Sequence, residues 1–193
     1  MSRRRRGQRP DQAVLRATRE LLAEVGYGRL TVDAIATRGG VGKAAIYRRY
    51  GSKAEMVFAA AVHDLDIEPP ADTGSLQGDL LALARLILDR LGSPAAAQAT
   101  PALLGDLARH PDLARRFQET SLARERADFA AILDRAVQRG ELARSPDPAL
   151  AHLLLSSPLF AALFAFHVPL DEAVLRDLTA VVAAGLVAAG GQG

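Results

Sequence analysis

Between Thr31 and Tyr50 the chain carries two helical patterns, one on each side of Gly39-Gly40-Val41. Helices of about two turns are marginal on their own in water, because a costly first turn is followed by too few propagating ones. They persist only when packed at an angle against further helices, so the surrounding chain has to supply a helical scaffold. The composition agrees. Period-2 alternation of β-branched and aromatic residues is nowhere sustained, and Ala, Leu, Arg and Glu dominate. The expected fold class is therefore all-α, with about nine helices.

The first helix is expected from about Asp11 to Val25, with Val14, Ala17, Thr18, Leu21 and Val25 on one face and Gly26 as its stop. Thr31 is placed to cap a helix from Val32 to Arg38 that turns Val32, Ile35 and Ala36 inward. Gly39-Gly40 breaks it, Val41 pins the turn, and a second short helix from Lys43 to Arg49 points Ile46 at the core. Ser52-Lys53-Ala54-Glu55 reads as a capping box opening a fourth helix toward Asp66.

The two prolines and two glycines of residues 67–79 mark the expected boundary to a second core. Beyond it, a stripe at Leu80, Leu83, Ala84, Ile87 and Leu91 is followed by a helix from Pro94 to Arg109, kinked or restarted at Pro101. Pro111 opens a long helix toward Gly140; Pro148 and Asp171 open the last two, the second of which ends in a Gly-rich tail. The expected domains are a basic disordered arm over 1–10, a helix-turn-helix domain over 11–66, and a helical regulatory and dimerisation domain over 76–190.

Charge separates along these lines. Residues 1–56 contain 13 Lys and Arg against 5 Asp and Glu, whereas the remainder contains 11 against 17. A basic first quarter on an acidic body suggests a polyanion-binding module. A helix that reads DNA needs donors on its outer face, small residues that let it enter a major groove, and a rigid helix behind it. Lys43, Ala44, Ala45, Tyr47 and Arg48 supply that outer face. Lys43 and Arg48 reach guanine edges or phosphates, and Tyr47 offers a hydroxyl to phosphate and a ring edge to a thymine methyl. The helix starts at Thr31 and after Ser52, the latter beside Lys53, offer amides to phosphate. Arg3, Arg4, Arg5 and Arg6 are either a solubilising tail or an arm for the adjacent minor groove.

The run TVDAIATRGGVGKAAIYRRYGSK, beginning at Thr31, resembles the DNA-binding signature of the TetR family of bacterial repressors. The resemblance extends over residues 11–60. It implies recognition contacts from Lys43, Ala44, Ala45, Tyr47 and Arg48, and phosphate contacts from Thr31, Tyr47 and Lys53. Three positions depart from the family pattern: Gly42 stands where Ser is usual, Ala45 where Thr is common, and Gly39 where Ala is usual. Gly is a tolerable cap at position 42, so only slight weakening of the second short helix is expected. The missing hydroxyl at Ala45 leaves base preference there open.

The resemblance also implies an effector pocket in the body, among residues 80–140. The candidates are Leu83, Leu86, Ile87, Leu103, Leu104, Leu107, Phe117 and Phe129, each of which reads equally as plain core. Few polar groups interrupt them, which points to an apolar or aromatic small molecule. The last two helices are apolar on more than one face, and a helix hydrophobic nearly all round is buried. The expected cover is the same pair from a second chain, through Leu153, Leu159, Phe160, Leu163, Phe164, Leu178, Val182 and Leu186. A two-fold dimer of this kind predicts a palindromic operator in double-stranded DNA.

Other functions find little footing. There is no Cys, hence no disulfide framework or thiolate zinc site, and the four His are not in metal-binding spacing. No cofactor, no metal and no catalytic residue is expected. The apolar stretch from Ala149 to Leu170 approaches the length of a membrane span but is interrupted by His152, Ser156, Ser157, Pro158 and His167, so a soluble helix is the expectation. The Arg run has no apolar segment behind it, and a cytoplasmic protein, on the nucleoid when bound to DNA, is expected. The competing reading is a helical module that binds a membrane surface or a partner protein through its basic N-terminal region.

Overall fold

The structure, a computed structural model, describes residues 3–63 and 70–191. Among the described residues there are ten α-helices and no strand. They are α1 (Arg3–Arg29), α2 (Val32–Gly39), α3 (Lys43–Arg49), α4 (Lys53–Phe58), α5 (Leu76–Leu91), α6 (Pro94–Arg109), α7 (Pro111–Phe117), α8 (Ala123–Gln138), α9 (Pro148–Phe160) and α10 (Glu172–Gly190). Three of them widen into π turns, at Ala59–His63 after α4, Gln118–Leu122 between α7 and α8, and Ala161–Phe166 after α9. The long helix expected from Pro111 is therefore one helical run interrupted by a π turn. Pro101 lies inside α6 without ending it.

α1 starts at Arg3, well before Asp11, so the backbone of the Arg run is helical where the sequence suggested a disordered arm. Its break falls at Gly26, as expected, with φ 73° and ψ 167°. That region excludes a Cβ-bearing residue far more strongly than it does glycine.

The helices fall into two compact units. The first takes α1–α4, α6 and α7; the second takes α5 up to Asp89 together with α8, α9 and α10. This differs from the boundaries read in the sequence, which placed all of residues 76–190 in one body. The reason is packing. Ala95 and Ala99 of α6 belong to the first core, with Val14, Leu15, Leu21, Leu22, Leu30, Ile35, Ile46, Tyr50, Met56 and Val57. Small residues on α6 let it lie close against α1 and α4, a role that composition alone does not reveal.

In the second unit the core gathers Leu76, Leu80, Leu83, Phe129, Ile132, Leu133, Leu155, Leu159, Leu175, Val182 and Leu186. One charge sits inside it. Asp79 is fully buried and accepts from the Thr73 amide and hydroxyl, both at 2.8 Å, while its other oxygen faces Arg135 at 3.4 Å and Arg139 at 3.2 Å. Burial opposes ionisation, but the two Thr73 bonds and the two guanidiniums outweigh it and hold the carboxyl below the ordinary carboxylate range.

A carboxyl whose folded-state pKa is depressed adds stability above its unfolded value, about 3.9, and loses it as pH falls through the folded value. Asp79→Asn is accordingly expected to cost about 2 kcal/mol at pH 7. It should also flatten the acid limb of stability against pH, read by thermal unfolding between neutral pH and pH 3.

Candidate nucleic-acid interface

α2 and α3 are set by their caps. The Thr31 hydroxyl accepts from the Ala34 amide at 3.2 Å and starts α2. Gly40 ends it in the left-handed region, φ 63° and ψ 33°, donating its N–H to Ala36 and Thr37. The Val41 amide then reaches back to the Ala36 carbonyl at 3.0 Å. This is a tight C-cap of the kind glycine favours, and it turns the chain sharply into α3. Gly42 is the N-cap of α3 and provides no side-chain bond.

α3 has one buried anchor, Ile46, 2% exposed. Burying such a side chain contributes about 2 kcal/mol. Lys43, Ala44, Ala45, Tyr47, Arg48 and Arg49 are all exposed, so the face expected to meet DNA is the open face of this helix. Lys43 and Tyr47 are four residues apart, as are Ala44 and Arg48, and each pair shares a stripe. Arg49, not among the contacts expected from the sequence, extends the basic end.

Two cations have partners that the sequence did not indicate. The Lys43 ammonium lies 2.6 Å from the Asp33 carboxylate on α2, and this hydrogen bond raises the lysine's pKa. Both groups are well exposed, so the pair adds little stability and is readily exchanged for phosphate. Lys53 is committed more firmly. Its ammonium donates to the Tyr27 and Leu30 carbonyls at 3.0 and 3.2 Å and lies 4.2 Å from the Tyr27 ring centroid. Two of its three donors close the end of α1, which leaves one for the phosphate contact expected from the sequence.

The Arg3, Arg4, Arg5 and Arg6 side chains lie outside the described residues. Ser52 caps α4 as expected, its hydroxyl accepting from the Glu55 amide at 3.0 Å. The Glu55 carboxylate does not return to the Ser52 amide as a capping box would have it. It takes the Gly51 amide and the Arg116 guanidinium of α7 instead. Arg116 is 61 residues away in sequence, and nothing local pointed to it.

The effector candidates divide between the units. Leu83 and Phe129 are sealed in the second core, and Leu86 and Ile87 are half-buried against it. Leu103 and Phe117 are buried in the first unit, Leu107 is half-buried there, and Leu104 is exposed.

The interface candidates divide as well. Leu159, Val182 and Leu186 are buried in the protomer's own core, which corrects their assignment to a surface, and Leu178 packs against that core. Phe160, Leu163 and Phe164 are half-buried, with the two phenyl rings 5.6 Å apart. Leu153 is 60% exposed. The open apolar face also includes Leu150, Leu154, Phe166, Val181 and Val187, with Phe166 and Val181 at 73% and 70%. Pro148–Phe166 and Glu172–Gly190 are each long and apolar enough to cross a membrane by length and composition, and only a minority of each is buried in the chain. Among the described residues no cluster of three metal-ligating side chains occurs.

Residues 14–60 match the bacterial regulatory proteins of the tetR family, and residues 70–182 match the tetracyclin repressor-like C-terminal domain. The chain belongs to the TetR family. A DNA-binding transcriptional repressor TetR of Mycobacteroides abscessus is 34% identical over 90% of this TetR-family chain and 91% of its own length. An uncharacterized HTH-type transcriptional regulator of Mycobacterium tuberculosis is 40% identical over 67% of the chain, a match that spans 63% of that relative. A TetR family transcription regulator of known structure superposes with a TM-score of 0.75 at 26% identity, covering 91% of this chain and 97% of that one. The fold is thus that of the TetR-family transcriptional regulators, with an N-terminal helix-turn-helix and a helical C-terminal domain.

Two substitutions test the interface. A Cβ at Gly42 meets nothing within 4 Å, and its φ of −73° suits any residue. Gly42→Ser should therefore raise the unfolding free energy by about 0.3 kcal/mol through the restored cap, measured by thermal denaturation. Lys43→Ala should weaken DNA binding and lower the slope of log K against log salt by about one if the ammonium neutralises a phosphate. An unchanged slope with altered base preference would instead make Lys43 a reader of base edges.

Proposed function

We propose that this TetR-family protein is a homodimeric, sequence-specific DNA-binding regulator, a repressor released from a palindromic operator by a small molecule. The observation that carries the reading is α3. Its inner side is fixed by Ile46 alone, while Lys43, Tyr47 and Arg48 stand on the open side at the basic end of the chain. Such a helix enters a major groove without rearrangement of its support. Base contacts are assigned to Lys43, Ala44, Ala45, Tyr47 and Arg48, and phosphate contacts to Thr31, whose hydroxyl proton is unused by its cap bond, to Tyr47, and to the remaining donor of Lys53.

The second copy docks on the outer face of α9 and α10. Apolar side chains exposed together in this way are the mark of an interface. The effector is an apolar or aromatic molecule held by the body. Contact with it is assigned to Leu86 and Ile87, which are half-buried beside a sealed core. To release DNA, the effector has to bind the non-reading conformation more tightly than the reading one. The protein is not an enzyme and acts in the cytoplasm.

Selection from a random duplex library at physiological salt tests the reading. A palindrome with half-sites about one helical turn apart is the expected result. Salt-sensitive binding without sequence preference would favour a surface-binding module instead. For the dimer, Leu153→Glu with Val181→Glu should give a folded monomer by sedimentation. Leu159→Ala or Leu186→Ala should instead lower thermal stability by about 2–5 kcal/mol and leave assembly of the folded fraction intact.

A further inference from the structure

α7 grips the turn that follows the recognition helix. Only Tyr50, Gly51 and Ser52 separate α3 from α4, and Tyr50 is itself buried, its amide bonded to the Ile46 carbonyl at 2.8 Å. Gly51 is thus joined to the end of α3 through a single anchored residue. Three residues on one face of α7 meet this region. Leu113 and Arg116 lie against Gly51, where a Cβ would come within 2.7 Å of Leu113 Cδ1 and 2.6 Å of Arg116 Nη2. Phe117 packs edge-on against Phe58 of α4, ring centroids 5.7 Å apart and planes at 65°.

Between them sits Glu55, 5% exposed. A carboxylate removed from water needs charged or N–H partners, and Glu55 has both on the same oxygen: the Gly51 amide and the Arg116 guanidinium. The absence of a side chain at Gly51 is what lets α7 come this close. Ser52 would have completed the start of α4 without Arg116, so the α7 contact exceeds what capping requires.

Resting on the DNA-reading function proposed above, we propose that Arg116 is a positioning residue for DNA recognition. Through Glu55 it fixes the Gly51-Ser52 turn and so sets the attitude of α3, without touching DNA itself. The bonded chain is Arg116 to Glu55 to Gly51, and the rigid link from Gly51 to α3 is the buried Tyr50.

The test uses the full-length protein, the duplex selected by the wild type, and the variants Arg116→Met, Arg116→Lys and Glu55→Gln/Arg116→Met. The double variant leaves no unpaired buried charge, so it remains informative if Arg116→Met alone folds poorly. Arg116→Met is expected to lower affinity for the selected duplex roughly tenfold, with a smaller loss on a scrambled duplex, so that the selectivity ratio falls. Arg116→Lys should recover most of the ratio. The double variant should be no worse than Arg116→Met, because both changes break one link. The salt slope should not move, and exchange of the Gly51 amide should accelerate.

A purely structural Arg116 would lower binding to both duplexes alike and leave the ratio intact, which would overturn the proposal. A slope smaller by about one would make Arg116 a phosphate ligand and overturn it as well. If the wild type selects no duplex, the underlying reading falls and the proposal with it. If the wild type selects a duplex and the variant ratios match it, the proposal alone falls.

Discussion

A helix of seven residues has no stability of its own in water, and α3 is seven residues long. It exists because Ile46 is buried in a core that also holds Val14, Ile35, Tyr50 and Val57, and because the chain is turned into it by a left-handed glycine cap and out of it by a buried tyrosine. Everything the first unit does otherwise follows from that dependence. α1 and α2 have to be held at a fixed angle, and Arg38 of α2 grips both carboxylate oxygens of Glu24 on α1, at 2.6 and 2.9 Å. The end of α1 has to be closed, and Lys53 closes it. Side chains devoted to this support have fewer donors left for other partners, and the open surface of this unit's short helices is concentrated on the outward residues of α3.

Much of this was legible before the structure. Short-range signals carry through to the fold: Thr31, Ser52 and Asp171 cap the helices they precede, and Ile35 and Ile46 point inward. Caps and periodicity depend on residues three or four apart, and the chain displays those directly. Contacts between distant residues were not visible. Nothing near Glu55 announces Arg116, and nothing near Ala99 announces that α6 belongs with the first core. The exposed side of α3 is legible in the sequence except for Arg49, whereas Asp33 beside Lys43 is not, because an acidic residue in a first helical turn already has a local explanation in the helix dipole.

The outer helices show a different limit. Composition said that α9 and α10 carry more apolar surface than one chain can cover, but it could not say which residues face in. Leu159, Val182 and Leu186 look no different in sequence from Leu153, although the first three complete the chain's own core. In a helix apolar on every side the periodic signal vanishes, and only packing assigns the faces.

That division of faces has an evolutionary reading. The side chains that seal the second core and those that stand on its outer surface are different residues on the same two helices. Leu155, Leu159 and Leu186 are constrained by folding; Leu153, Phe166 and Val181 are constrained only by what they meet. A lineage that duplicates this gene can therefore change the outer set freely and leave the inner set alone. On the proposed dimer, sister proteins in one cell then stop exchanging subunits while each remains fully folded.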